Sequence, residues 1–195
     1  MRRRIGSANG LDWRVLALIV ATLLAGAAAA VTLVAGSGEN LFAGQIEPDG
    51  GRNHIPVGQT AIYTSTPATS GPHWSQQGLA PANWGVYGSD APLLEPAGLH
   101  NLEHGGIIVW YQASKLAPAD VTTFENFVRS QVTTERFKFI VSPWTGRDFG
   151  HSVAVVAWRW LLYLDSANLD AVRGFADAHY ERSPEPLGGP GPPTG

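Results

Sequence analysis

Residues 106–112 read Gly-Ile-Ile-Val-Trp-Tyr-Gln, a short apolar run rich in β-branched and aromatic side chains, and they set the reading of the fold. A glycine pair, Gly105-Gly106, precedes the run, and Pro118-Ala119-Asp120 follows it after a polar stretch. The pattern predicts a strand, then a helix from Pro118 to about Gln131. Phe124, Phe127 and Val128 fall at i, i+3 and i+4 of that helix, and Asp120 lies at its positive end. Further along, Phe137–Val141 reads as a second strand and Val153–Leu162 (VAVVAWRWLL) as a third. A last helix, Leu169–Tyr180, follows, capped by Ser166 or Asn168, with Leu169, Val172, Phe175 and Ala176 on one face. The order β-α-β-β-α predicts an α+β fold: a small sheet of about three main strands with helices laid on it.

Upstream, residues 52–99 have a different character. Pro56, Pro67, Gly71, Pro72, Gly78, Pro81, Gly85, Gly88, Pro92, Pro96 and Gly98 punctuate the stretch, which excludes long helices. We expect an ordered, irregular half rich in Gly, Pro and His, with at most short strands such as Thr60–Thr64. Trp74, Trp84, Trp110, Trp158 and Trp160 are read as packing residues, and Arg159 as a solvent-facing residue of the third strand.

The ends of the chain are read from composition. Residues 15–36 (VLALIVATLLAGAAAAVTLVAG) carry no charge, and as a helix would reach roughly 33 Å, enough for a hydrocarbon core of about 30 Å. Arg2, Arg3, Arg4 and Arg14 precede the run, and the first charge after it is Glu39. That asymmetry predicts a single-pass anchor in the lipid bilayer, with residues 1–14 cytoplasmic and the C-terminal domain extracytoplasmic. A cleaved signal peptide is the alternative, since Ala27–Ala30 offers A-x-A patterns. Residues 37–51 read as a linker and 52–182 as the domain. Residues 183–195, rich in Pro and Gly, read as a disordered tail.

Composition narrows the function. The 195 residues contain no cysteine, which excludes disulfides, thiol chemistry and thiolate metal sites; the only methionine is Met1. The net charge is −3; the first fourteen residues carry four arginines against Asp12, a net +3, so the remainder sums to −6. A mildly acidic domain has no electrostatic reason to bind nucleic acid. No G-x-S-x-G elbow accompanies Ser70 or Ser75, so acyl transfer is a poor reading.

Histidine carries the remaining signal. Four of the six, His54, His73, His100 and His104, fall in or beside the irregular half. In His100-Asn101-Leu102-Glu103-His104 the two imidazoles share a face if the segment makes a helical turn, as in common half-sites for zinc, copper or iron. If it is extended they stand roughly 13 Å apart, at about 3.3 Å per residue, too far for one ion. Glu103 would be a ligand, a partner that orients an imidazole, or a general acid–base. The leading reading is a His-rich module for zinc or copper(II), with His54, His73, His100, His104 and Glu103 as ligands. A metal-dependent enzyme using Glu103 is the second reading. A structural or interaction domain of the cell envelope, with histidines bracing loops, is the third. His151 is a marginal addition to the cluster and His179 a surface residue.

Four motifs together resemble the bacterial family catalogued as domain of unknown function 3105: Asn53-His54-Ile55-Pro56, Thr69-Ser70-Gly71-Pro72-His73-Trp74, Trp84-Gly85-Val86-Tyr87, and His100-Asn101-Leu102-Glu103-His104-Gly105-Gly106. Ala157-Trp158, Phe175, Tyr180 and Ser183-Pro184-Glu185 extend the likeness over about residues 52–185. The resemblance implies an exported domain behind a transmembrane segment, with His54, His73, His100, Glu103 and His104 as group-defining residues. It implies no activity and no particular metal.

Overall fold

The computed structural model describes residues 42–193. The expected cytoplasmic segment and membrane anchor, residues 1–14 and 15–36, lie outside them. Among the described residues no helix is long and apolar enough to cross a membrane.

The described residues build eight strands and three helices: β1 (Gln45–Ile46), β2 (His54–Ile55), β3 (His73–Trp74), β4 (Gly85–Val86), α1 (Glu95–Glu103), β5 (Ile107–Tyr111), α2 (Pro118–Gln131), β6 (Phe139–Pro143), β7 (Val153–Ala157), β8 (Trp160–Leu164) and α3 (Leu169–His179). Six strands form one mixed sheet in the order β1-β8-β7-β5-β6-β4, and β2 pairs with β3 in a separate two-stranded ladder. Within the sheet β6 runs parallel to both β4 and β5, and the other pairings are antiparallel. The fold is thus α+β, as expected, but the sheet has six strands rather than three.

The central strands β5, β6 and β7 are buried along their whole length. A strand covered on both faces reads as an unbroken apolar run, which is why these segments show so little alternation. Period-2 geometry still divides their side chains. Ile107, Val109, Phe139, Val141, Val153 and Val155 pack with Phe124 and Val128 of α2 and Val172 and Phe175 of α3. Ile108, Trp110, Ile140, Ala154 and Val156 pack with Leu99 and Leu102 of α1 and with Trp74 and Trp84 of the irregular half. Fully burying one such side chain stabilises the fold by roughly 1.5–3 kcal/mol. The irregular half is therefore the third layer, held by the same sheet that seats α2 and α3.

Several expectations are corrected. Val153–Leu162 is not one strand: it is the hairpin β7–β8, in which Ala157 pairs with Trp160 across Trp158-Arg159. Arg159 adopts a left-handed φ of 63° rather than facing solvent from a strand, and its backbone N–H donates to Thr69 O at 2.8 Å. Thr60–Thr64 forms no strand. The stretch expected as a linker contributes β1, paired with β8. The irregular half contributes β4 and the start of α1, whose Pro96 sits in the first turn, where a missing N–H costs nothing. His179 is buried, not on the surface: Nε2 donates to Ala43 O at 2.6 Å and the ring stacks on Trp160. Asn168 is the cap of α3, its side chain accepting from Ala171 N at 3.0 Å. The Pro/Gly-rich tail, expected to be disordered, packs on the domain through Pro190, whose carbonyl accepts from Trp84 Nε1.

A tight turn at the end of α1 passes the chain into β5. Gly105 N–H donates to Leu102 O and Gly106 N–H to Asn101 O, both at 3.0 Å, the paired bonds of a Schellman turn with Gly105 in the left-handed region at φ +82°. A Cβ on Gly105 would lie 2.6 Å from Glu181 Cα, so the turn also admits the chain leaving α3. Gly150 has φ +88° and nothing within 4 Å of an added Cβ. Gly150→Ala should cost about 1–2 kcal/mol from backbone conformation alone. Gly105→Ala should cost distinctly more, because backbone cannot yield to its Cβ. Urea denaturation of the two variants measures the difference, and equal losses would contradict the packing described.

Candidate metal centre

Two pieces of backbone bring the histidines together. The first is the parallel β2–β3 ladder, whose register sets His54 opposite His73 and Ile55 opposite Trp74. Paired residues project to the same side of a ladder, and the two imidazole centroids stand 5.0 Å apart. Cross-links hold the ladder: Gly71 N–H donates to Gly51 O at 2.8 Å, Tyr63 OH to Pro72 O at 2.9 Å, and Trp74 Nε1 to Gln59 O at 2.8 Å.

The second is α1. His100-Asn101-Leu102-Glu103-His104 is helical through Glu103, so the helical alternative holds. Leu102 is 1% exposed in the core, which turns His100 and Glu103 towards the ladder. Asn101 clamps the irregular half with two bonds, Ala82 N to Oδ1 and Nδ2 to Ala82 O, both 2.8 Å.

The result is a cluster of His54, His73, His100 and Glu103, each offering one ligand atom within 4.8 Å of the others. Glu103 Oε2 lies 3.0 Å from His73 Nε2 and 3.6 Å from His54 Nε2. His73, His100 and Glu103 are buried, whereas the His54 side chain is 52% exposed, so the cluster faces solvent on the His54 side.

The outer ring nitrogens are spoken for. His73 Nδ1 donates to Gly71 O and His100 Nδ1 to Trp74 O, both at 2.8 Å. A carbonyl only accepts, so Nδ1 carries the proton in each ring and the neutral tautomer leaves a lone pair on Nε2. That lone pair on His73 meets a carboxylate oxygen at 3.0 Å, a pair of acceptors that calls for a proton or a cation between them. Burial is the main reason the His100 imidazole is pushed down to about 4; the Trp74 carbonyl opposes the shift and the neighbouring imidazoles add to it. Burial lowers His73 as well, against the Gly71 carbonyl and Glu103. Both rings are therefore neutral, and able to ligate, at neutral pH.

His104 stands apart from the four. Its ring stacks on His100 at 4.9 Å, and Nδ1 donates to Glu185 O at 3.0 Å. His151 does not join either; it pairs with Asp165 at 2.8 Å and stacks on Tyr163. Two neighbours of the site stand in the sequence only as a packing residue and as part of the family likeness, not as site residues. Trp158, in the hairpin turn, sets its ring edge-on to His73 at 6.2 Å, and Glu185 comes from the tail. Neither offset in sequence hints at the contact.

Residues 54–190 match the family model described as "Protein of unknown function (DUF3105)", and the chain belongs to that family. Comparison with the curated proteins and with the solved structures gave no match.

The titration of the buried rings makes a prediction for the metal-free chain. The imidazoles bind protons more readily unfolded, near 6.5, than folded. Their contribution to stability is therefore complete above about pH 6.5 and is lost as pH falls, for His100 towards about 4. The loss from His100 alone is on the order of 3 kcal/mol. The urea midpoint of the chelator-treated chain should fall steeply between pH 7 and 4.5, and His100→Gln should flatten that slope. An unchanged slope in His100→Gln would contradict the assignment.

Proposed function

We propose that this member of the DUF3105 family is an extracytoplasmic module that binds one transition-metal ion through His54, His73, His100 and Glu103. The observation that carries the reading is the pair of Nδ1–H bonds to the Gly71 and Trp74 carbonyls, which fix the tautomer and aim of two buried imidazoles. Around an ion with bonds of about 2.0–2.1 Å, tetrahedral donors stand roughly 3.3 Å apart. The 3.0 and 3.6 Å separations about Glu103 already bracket that value, and the half-exposed His54 can close the rest. Three imidazoles and a carboxylate, with no sulfur, suit zinc first and copper(II) second. The uncharged run at residues 15–36, behind four arginines, supports attachment to a bilayer with the N-terminus cytoplasmic.

The exposure of His54 favours a second reading, a metal-dependent enzyme. Its approach from solvent would admit water or substrate to the centre, with Glu103 as acid–base. In that case Glu103→Gln abolishes turnover while the chain stays folded.

Inductively coupled plasma analysis of the full-length chain, stripped and reloaded, should find one zinc or copper(II) per chain. Saturation at a hundred times the dissociation constant should stabilise the fold by about 2.7 kcal/mol. His54→Ala, at the exposed ligand, should weaken binding at least tenfold and leave the metal-free melting temperature unchanged. No stoichiometric metal and no shift in melting temperature would refute the proposal. His100→Ala that destabilises the chain equally with and without metal would favour the bracing role instead.

A further inference from the structure

Glu185 makes three contacts beside the histidine cluster. Its backbone N–H donates to Glu103 O at 3.1 Å, and its carbonyl accepts from His104 Nδ1 at 3.0 Å. Its carboxylate lies 3.6 Å from Arg52 Nη1, two residues before His54. One residue thus ties the end of α1, with its outer imidazole, to the chain entering the β2 ladder, two segments far apart in sequence.

The residues after it lie flat on the same face. Gly188 N–H donates to Glu185 O at 3.1 Å, closing a turn. A Cβ on Gly188 would stand 2.3 Å from His104 Cε1 and 2.4 Å from Nδ1, so only glycine permits this approach. The His104 ring is sandwiched between the His100 ring and the Gly188-Gly189 backbone. Beyond the turn, Pro190 O accepts from Trp84 Nε1 at 2.9 Å. Before it, buried Lys138 reaches Pro186 O and pairs with Glu181 at 2.9 Å.

We infer that residues 183–190 form a strap that holds the end of α1, with His100 and Glu103, against the chain entering β2 and its His54, and so sets how fast the ion leaves. Glu185 is its positioning residue and His104 the ring it holds outside the ligand set. The inference rests on the metal-binding proposal. A stretch this rich in Pro and Gly makes no core of its own, and a handful of hydrogen bonds opposes the entropy of ordering it, so its seat is shallow and can open. Lifting the strap would free His104 and unclamp the chain before His54 from α1. Linkage then requires that whatever factor the closed strap adds to metal affinity, bound metal adds to strap closure.

The test uses the full-length chain loaded with zinc, or with copper(II) if that is the ion retained, and follows transfer of the ion to a chromophoric chelator. Gly188→Val, which drives a side chain into His104, and a chain ending at Arg182 should both release the ion at least tenfold faster than wild type. Trypsin cleavage after exposed Arg182, followed by mass spectrometry of the released tail, should slow severalfold on metal loading. Should the shortened chain fail to fold by circular dichroism, Gly188→Val decides. Equal release rates in wild type and Gly188→Val, with cleavage indifferent to metal, would overturn the strap and leave the metal reading intact. A wild-type chain that retains neither ion would overturn both.

Discussion

A carboxylate 1% exposed among three imidazoles is the constraint on which the rest of this structure turns. Removing Glu103 from water is costly unless charge or hydrogen bonds compensate, and the groups nearest to it are His73 and His54. The pushed-down His100 and His73 imidazoles offer lone pairs more readily than protons. A bound cation satisfies all four residues together; a proton satisfies one contact at a time. The geometry is thus one that could hold an ion, beyond the mere proximity of histidines.

That constraint explains why so much of the fold serves two short stretches of backbone. Leu99 and Leu102 seat α1 on the sheet, which fixes the height of His100 and Glu103. Asn101 ties the same turn to Ala82, and the Gly105 turn hands the chain to β5 without displacing α1. The β2–β3 ladder has only two residues a side, so it cannot stand alone; Tyr63, Trp74 and the Arg159 N–H to Thr69 O anchor it to its surroundings. The bracing of these rings is therefore compatible with ligation. The carbonyls that brace His73 and His100 are what aim their free nitrogens.

The sequence is most legible where one period dominates. The helix at Pro118–Gln131 and the run at Ile107–Tyr111 follow from local pattern, and the histidines and Glu103 stand out as a group. The β7–β8 hairpin is hidden because Trp158-Arg159 carries no Gly or Asn, and the apolar run VAVVAWRWLL continues through the turn, interrupted by Arg159 alone. The remaining sheet strands, β1 and β4, are two residues long and exist only because β8 and β6 offer free edges. The tail misleads for a related reason: nothing in SPEPLGGPGPPTG announces a binding partner, which lies across the fold at Trp84, His104 and Lys138. Long-range pairing of this kind leaves no local periodicity. Of the five ligands expected, His104 is set outside by the same helical spacing that suggests it, since its ring stacks on His100 and bonds to Glu185 instead.

Extended X-ray absorption fine structure at the metal edge of the reloaded chain decides whether three imidazoles and one carboxylate share a single ion. A shared ion requires a first shell of three nitrogens and one oxygen near 2.0–2.1 Å, with the outer-shell scattering of three imidazole rings. A shell of water oxygens without imidazole scattering would contradict it.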